Sequence, residues 1–319
     1  MAVKAQYKSQ GGFSLLELMI AMVMGLFLIG GVISVFIGSS QSFRSNESLS
    51  RVQENGRFAL EMISHELRSV GYKGECYDTV IEIIDTTDSD YEAEALDLMN
   101  PLLGWGAAAG EFFEGDLNGY QTNTDLIIIK HAAENAGVQL TSDVDQNDTN
   151  VSVNGSMDSG DIVVLSNGLT CDMFQNTGSG STMARGTSGE IINNKTVATQ
   201  PFSREFRSGD ETTVSLFSST LFYVGSGLAA STALRSVTYS NGVANDQELV
   251  EDVNNLTIQY GVVSGAGPSL NYANTAAQIT AANDWGDVVA VRITVDVQGD
   301  ENIAQQFSTT VALRNRLIE

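Results

Sequence analysis

The sequence predicts an α+β protein in which one long amino-terminal α-helix packs on an antiparallel β-sheet head that carries long insertions. Three features point there: an uncharged apolar run near the start, an apolar period of three to four residues that continues it, and short apolar segments between turn residues through the rest. At 319 residues and 42% hydrophobic, with only three prolines, the chain has the apolar material for a core and does not read as disordered.

Met1 to Gly12 is short and polar, with Lys4 and Lys8 and no acid. From Leu18 to Gly38 there follow 21 residues without a charge. At the helical rise such a run covers roughly 30 Å, the hydrocarbon thickness of a bilayer, so it can span a membrane. Lysines on its leader side place the amino terminus in the cytoplasm and send the chain beyond about residue 40 across. A secretory signal peptide is the alternative. It expects a shorter apolar core with small residues after it, whereas the pair Gly11-Gly12 comes before. Glu17 is the costly residue of this segment. Either it sits at headgroup level, where a negative charge suits a helix start, or a cation neutralises it within the membrane.

Beyond Gly38, the residues Leu49, Val52, Gly56, Ala59, Leu60, Ile63, Leu67 and Val70 recur at spacings of three and four. They form the apolar stripe of an amphipathic helix that faces a sheet and ends at Gly71 as its C-cap. Glycines at 25, 30, 31 and 38 weaken a helix in water, yet in a membrane small residues let helices pack closely. After Gly71 the helical period is lost. Strands are expected at 79–84, 125–130, 161–165, 213–217, 221–224, 234–239, 256–260, 288–297 and 306–313. Segments 85–120, with Trp105, Phe112 and Phe113, and 172–200, rich in Gly, Ser and Thr, read as surface insertions.

Residues 71–319 hold 34 acidic and 10 basic side chains, within a net charge of −23 for the whole chain. A body that acidic repels phosphate backbones, so the head is not expected to bind nucleic acid. Cys76 and Cys171 fit one disulfide outside the cytoplasm, closing a loop of 96 residues. The chain-entropy model assigns such a loop roughly 4 to 5 kcal/mol. Free buried thiols are the alternative. Asp143, Asp145 and Asn147 occupy the first three oxygen positions of a calcium loop, but Asp148 stands where glycine is needed and Asn154 where a bidentate glutamate belongs. A solvated acidic turn is therefore expected, with a weak calcium site as the minor reading and no other cofactor or metal. His131 is expected at the surface and His65 on the polar flank of the helix. CxxC, HExxH, GxSxG and phosphate-loop motifs are all missing from the sequence, and no enzyme is predicted.

Gly11-Gly12-Phe13-Ser14-Leu15-Leu16-Glu17-Leu18-Met19-Ile20 resembles the prepilin signature, or class III signal, of type IV pilins and type II secretion pseudopilins. The block Gln53-Glu54-Asn55-Gly56-Arg57-Phe58-Ala59-Leu60, then Glu66-Leu67-Arg68 and Gly71-Tyr72, is similar to PilW-type minor pilins. So is the order of Leu256–Gly261, Asp284-Trp285, Val288–Ile293 and Val311–Arg316 near the end. The resemblance covers residues 11–72 and 248–316, while 75–240 match only in general character.

This resemblance implies a type IV pilin fold with a leader peptide (1–12), a transmembrane and filament-core helix (13–38), its amphipathic second half (39–71) and a periplasmic β-rich head (72–319). It implies cleavage by the prepilin peptidase between Gly12 and Phe13, and methylation of the new terminus at Phe13. A side chain at Gly12 would obstruct the close approach of that peptidase. Glu17 would pair with the terminal ammonium of a neighbouring subunit and so act in assembly. The implied function is that of a minor pilin: anchored in the inner membrane, it helps initiate a type IV pilus and is then incorporated at its tip. Implied partners are the peptidase, other minor pilins, the major pilin and the assembly platform. A minor pseudopilin of a type II secretion system and a pilus-tip adhesin are the alternatives.

Overall fold

The computed structural model describes residues 12–75, 79–188, 191–229, 232–263, 270–300 and 303–316. The chain divides into two compact units, Met1–Arg51 and Val52–Glu319. Helix α1 (Leu15–Ser69) contributes to both. In the first unit its large apolar side chains from Leu15 to Ile37 are exposed, and its most apolar 18-residue stretch has no buried share.

In the second unit α1 buries the face that its sequence period marks out. Val52, Gly56, Ala59, Ile63, Leu67 and Val70 are all buried. The helix stops where expected: Gly71 takes φ +71°, a conformation that costs glycine nothing, and donates its N–H to the Lys130 carbonyl at 3.0 Å.

The elements that follow are β1 (Val80–Glu82), α2 (Ala93–Leu96), β2 (Leu102–Trp105), β3 (Leu126–Asn135), β4 (Asn150–Met157), β5 (Ile162–Ser166), β6 (Cys171–Gln175) and β7 (Gly180–Ala184). After them come β8 (Thr213–Ser226), β9 (Thr232–Thr238), β10 (Asn245–Glu251), β11 (Val253–Val263), β12 (Leu270–Asn274), α3 (Ala276–Ala282), β13 (Val288–Gln298) and β14 (Ala304–Ala312).

Eight strands form the main sheet, in the order β1-β6-β5-β8-β3-β2, with β9 beside β8 and β10 beside β9. The long strand β8 serves two neighbours along one edge: Thr213–Leu216 pairs with β5, and Thr220–Ser226 with β9. A second sheet runs β12-β11-β13-β14, and β4 pairs with β7. The pairing is antiparallel apart from β1, which lies parallel to β6. No hairpin joins those two strands, so nothing in the connection forces them to run in opposite directions.

Strand alternation divides the core. Ile127, Ile129, Phe222, Val224 and Leu234 join the cluster beneath α1, which also takes Leu256, Ile258, Tyr260, Ile293 and Val295 from the second sheet. Leu126, Ile128, Leu221, Tyr223 and Val237 face the other way, against Leu96, Leu98 and Phe113. Val163, Leu165, Phe174 and Val214 pack with Met183, Phe202 and Phe206 beside the β4–β7 pair.

Two expectations need correction. Segments 85–120 and 172–200 are not merely surface insertions, because they supply β2, β7 and most of β6 and bury Phe113, Phe174, Met183 and Ile192 completely. The runs 213–217 and 221–224 are one strand. The polar Ser218-Ser219-Thr220 step looked like a break, but Ser219 is buried and its Oγ donates to the Ala95 carbonyl at 2.7 Å, which removes the cost of placing a hydroxyl in the core.

Candidate assembly site

The amino-terminal site begins outside the helix. Gly12, Phe13 and Ser14 precede α1 in irregular conformation and are exposed, Phe13 to 89%. A Cβ built on Gly12 would meet no atom within 4 Å among the described residues, so no packing among them demands glycine there. The residues before Gly12 lie outside the described residues.

Ser14 and Glu17 start the helix together. Ser14 Oγ accepts the Leu16 N–H at 3.3 Å, and Glu17 Oε2 accepts the Ser14 N–H at 3.0 Å. This is the reciprocal logic of a capping box, in which a side chain at the start and one three residues later satisfy donors the helix leaves free. The carboxylate also stands in the first turn, where the helix dipole favours it. Downstream, Gly25, Gly30, Gly31 and Gly38 all face open space, where an added Cβ would meet nothing within 4 Å. Among the described residues, no packing contact accounts for these four glycines.

In the head, Cys171 is fully buried at the start of β6, with its Sγ 3.0 Å from the Lys73 carbonyl oxygen. Cys76 lies outside the described residues. The three calcium candidates are spread over an exposed turn. Asp143 Oδ1 accepts both the N–H and the hydroxyl of Ser208, at 2.8 and 2.9 Å, and Asp148 Oδ2 accepts the Asp145 N–H at 2.8 Å. Asn147 lies between them in sequence. Among the described residues, no group of three or more His, Cys, Asp or Glu side chains is placed to hold a metal ion.

Sequence reasoning missed the buried polar groups. His131, expected at the surface, is 4% exposed, with Nε2 2.8 Å from Glu66 Oε2. Burial works to raise the Glu66 carboxyl, but the hydrogen bond and charge of His131, with help from His65, outweigh it and hold Glu66 below its ordinary value. His65 itself is exposed, as expected. Arg235, also buried, reaches Asp246 Oδ2 at 2.6 Å and Glu248 Oε2 at 3.4 Å across the β9–β10 pair. The only sequence signal for either pair was strand alternation. It puts His131 on the same face as Ile127 and Ile129, towards α1.

An exposed Gly-Phe pair, followed by an unburied apolar helix with glutamate in its first turn, is the arrangement expected of a type IV pilin-like chain. Comparison with known families agrees. Residues 7–33 match the prokaryotic N-terminal methylation motif, and residues 221–309 match the family described as Type IV Pilus-assembly protein W. Together the two matches support a PilW-type pilin with a class III signal, and the apolar amino-terminal helix fits a membrane-anchored pilin with a periplasmic head. The PilW match takes in the second half of β8, β9, β10 and nearly all of the second sheet. No curated protein and no solved structure matches the chain.

Proposed function

We propose that this protein is a minor pilin that takes part in initiating type IV pilus assembly and stays at or near the filament tip. Its role is structural, not catalytic. In this reading the leader (1–12) is removed by the prepilin peptidase between Gly12 and Phe13, and Phe13 becomes the methylated amino terminus. Residues 13–38 then form the membrane and filament-core segment, 39–71 the amphipathic half of the helix, and 72–319 the head.

One observation carries the reading: the apolar surface of α1 from Leu15 to Ile37 is unburied, and a Cβ added at its glycines would meet nothing within 4 Å among the described residues. A bilayer covers such a surface first, and like helices, packing through small residues, cover it in a filament. Cleavage frees an ammonium at Phe13, and Glu17 is the carboxylate nearest to it in sequence. In apolar surroundings Glu17 gains from a neighbour's terminal charge, which sets axial register as well as attraction. Charge supports placement at the tip. A head with 34 acids and 10 bases repels its own copies, which disfavours repetition along a filament and favours a single copy beside different subunits. The partners are then other minor pilins, the major pilin and the assembly platform.

The test is Glu17→Ala together with a deletion strain. Glu17→Ala is expected to be cleaved normally yet to enter few pili, and the deletion strain to show few surface pili that return when retraction is blocked. Normal piliation in both would overturn the reading. Loss of protein secretion with intact pili would favour a type II pseudopilin instead.

A further inference from the structure

Strands β8, β9 and β10 extend past the cover that α1 provides and leave a cavity of about 430 Å³ beside the helix. The strand register builds its floor. Phe222, Ser236 and Gln247 lie opposite one another across the three strands and so share a face, with Thr220 and Thr238 in the next row. Small hydroxyl side chains where the rest of this face carries large aliphatic ones leave the space open. From the helix side, Phe58 and Met62 reach the cavity one turn apart, and both are exposed. One further feature restricts what can fill it. At the rim, Glu66 is engaged by His131 and His65, whereas no ion pair or hydrogen bond of the Glu61 side chain is seen among the described residues.

Resting on the pilus-subunit reading above, we propose that this groove seats a segment of a neighbouring, non-identical pilus subunit, in which an apolar side chain is flanked by a lysine or arginine. The apolar side chain fills the space between Phe58, Met62 and Phe222. The flanking cation meets Glu61, since no Lys or Arg lines the groove. A lipid chain would fill the apolar space but leave Glu61 without a cation. A second copy of this chain is disfavoured because it brings the same acidic head.

The test uses the full chain in piliated cells, with a photo-crosslinking benzoylphenylalanine at Met62 and, in a separate strain, at Leu28. The Met62 probe is expected to capture another subunit that carries an amino-terminal methylation motif. The crosslinked peptide, read by mass spectrometry, should hold an apolar residue within two positions of a Lys or Arg. Glu61→Lys should lower that yield at least fivefold with an unchanged melting temperature, and Thr238→Phe, which fills the groove, should lower it independently. Capture only of a second copy or of lipid, or no capture at Met62 while Leu28 still captures subunits, would overturn the proposal. If Leu28 captures no subunit either, the pilus-subunit reading fails and the proposal falls with it.

Discussion

His131 Nε2 on β3 lies 2.8 Å from Glu66 Oε2 on α1, joining the sheet to the helix by a charge-assisted contact beneath an otherwise apolar packing face. Because Glu66 is held below its ordinary value, its contribution is present above the unfolded carboxylate range and is lost as pH falls through that range to the folded value. Glu66→Gln should therefore cost about 1–3 kcal/mol at neutral pH, less than a fully buried pair because Glu66 is 24% exposed. It should also flatten the loss of stability below about pH 5. Urea unfolding of the detergent-solubilised chain between pH 3 and pH 7 measures both effects.

Asp172 on β6 carries the opposite sign. Burial pushes its carboxyl up to about 6, against which hydrogen bonds from Ser203 and the charge of Arg185 pull only partly back. Its Oδ2 accepts the Ser203 N–H at 2.7 Å, while Oδ1 is buried without a partner. A raised folded value means that the protonated form suits the fold, so this residue costs stability as pH rises from the unfolded range to about 6, and the cost is constant above that. Asp172→Asn should raise the melting temperature at pH 7.5 and leave it nearly unchanged at pH 4. The gain corresponds to roughly 1–3 kcal/mol. Equal shifts at both pH values would show that the effect comes from packing and not from ionisation.

The legible parts of this fold are those with a repeat. The stripe Val52-Gly56-Ala59-Ile63-Leu67-Val70 and the stop at Gly71 could be read directly, because a helix packed on one face must repeat at its own period. Strands β11 and β13 were legible for the same reason, whereas β3, buried on both faces from Leu126 to Ala132, showed as a continuous apolar run. β6 and β7 were not. In Cys171–Gln175 every residue is buried, on both faces, so no alternation shows, and Gly180–Ala184 pairs with β4 through a composition that suits loops. A truncation of 172–200 designed on the sequence as loop removal would take out most of β6, with Phe174 and Met183, and expose the rest of their cluster, Val163, Leu165 and Val214 among it. At the site, Gly12, Phe13 and Glu17 stood out as a motif, whereas Glu66–His131 joins residues 65 positions apart and left no local trace.

Gly56 and Phe307 test how α1 meets the second sheet. A Cβ on Gly56 would fall within the Phe307 ring, which is partly buried against the main cluster from strand β14. The helix interior would otherwise prefer alanine to glycine by about 1 kcal/mol. Gly56→Ala is therefore expected to destabilise by about 1–3 kcal/mol as the ring is forced out. In the Phe307→Ala background the same change should be neutral or stabilising. A double-mutant cycle read by urea unfolding checks this, and additive effects would mean that the two residues do not touch in solution.

The remaining question is whether the loop after α1 is tied to the main sheet. Cys171 is buried at the end of β6 nearest that loop, and its Sγ lies against the carbonyl of Lys73, three residues before Cys76. That approach, with the head in an oxidising compartment, supports a Cys76–Cys171 bond. Burial alone would protect a free thiol in the folded protein, so labelling must be done in denaturant. Protein taken from the membrane and unfolded without reductant should then incorporate no maleimide, and two equivalents once reduced. Cys171→Ser should lower stability by about 2–5 kcal/mol, and Cys76→Ser by nearly as much, since either change opens the same loop. Labelling of both cysteines without reductant would show that the thiols are free. A large loss for Cys171→Ser alone would then mark Cys171 as a packing residue and not as half of a crosslink.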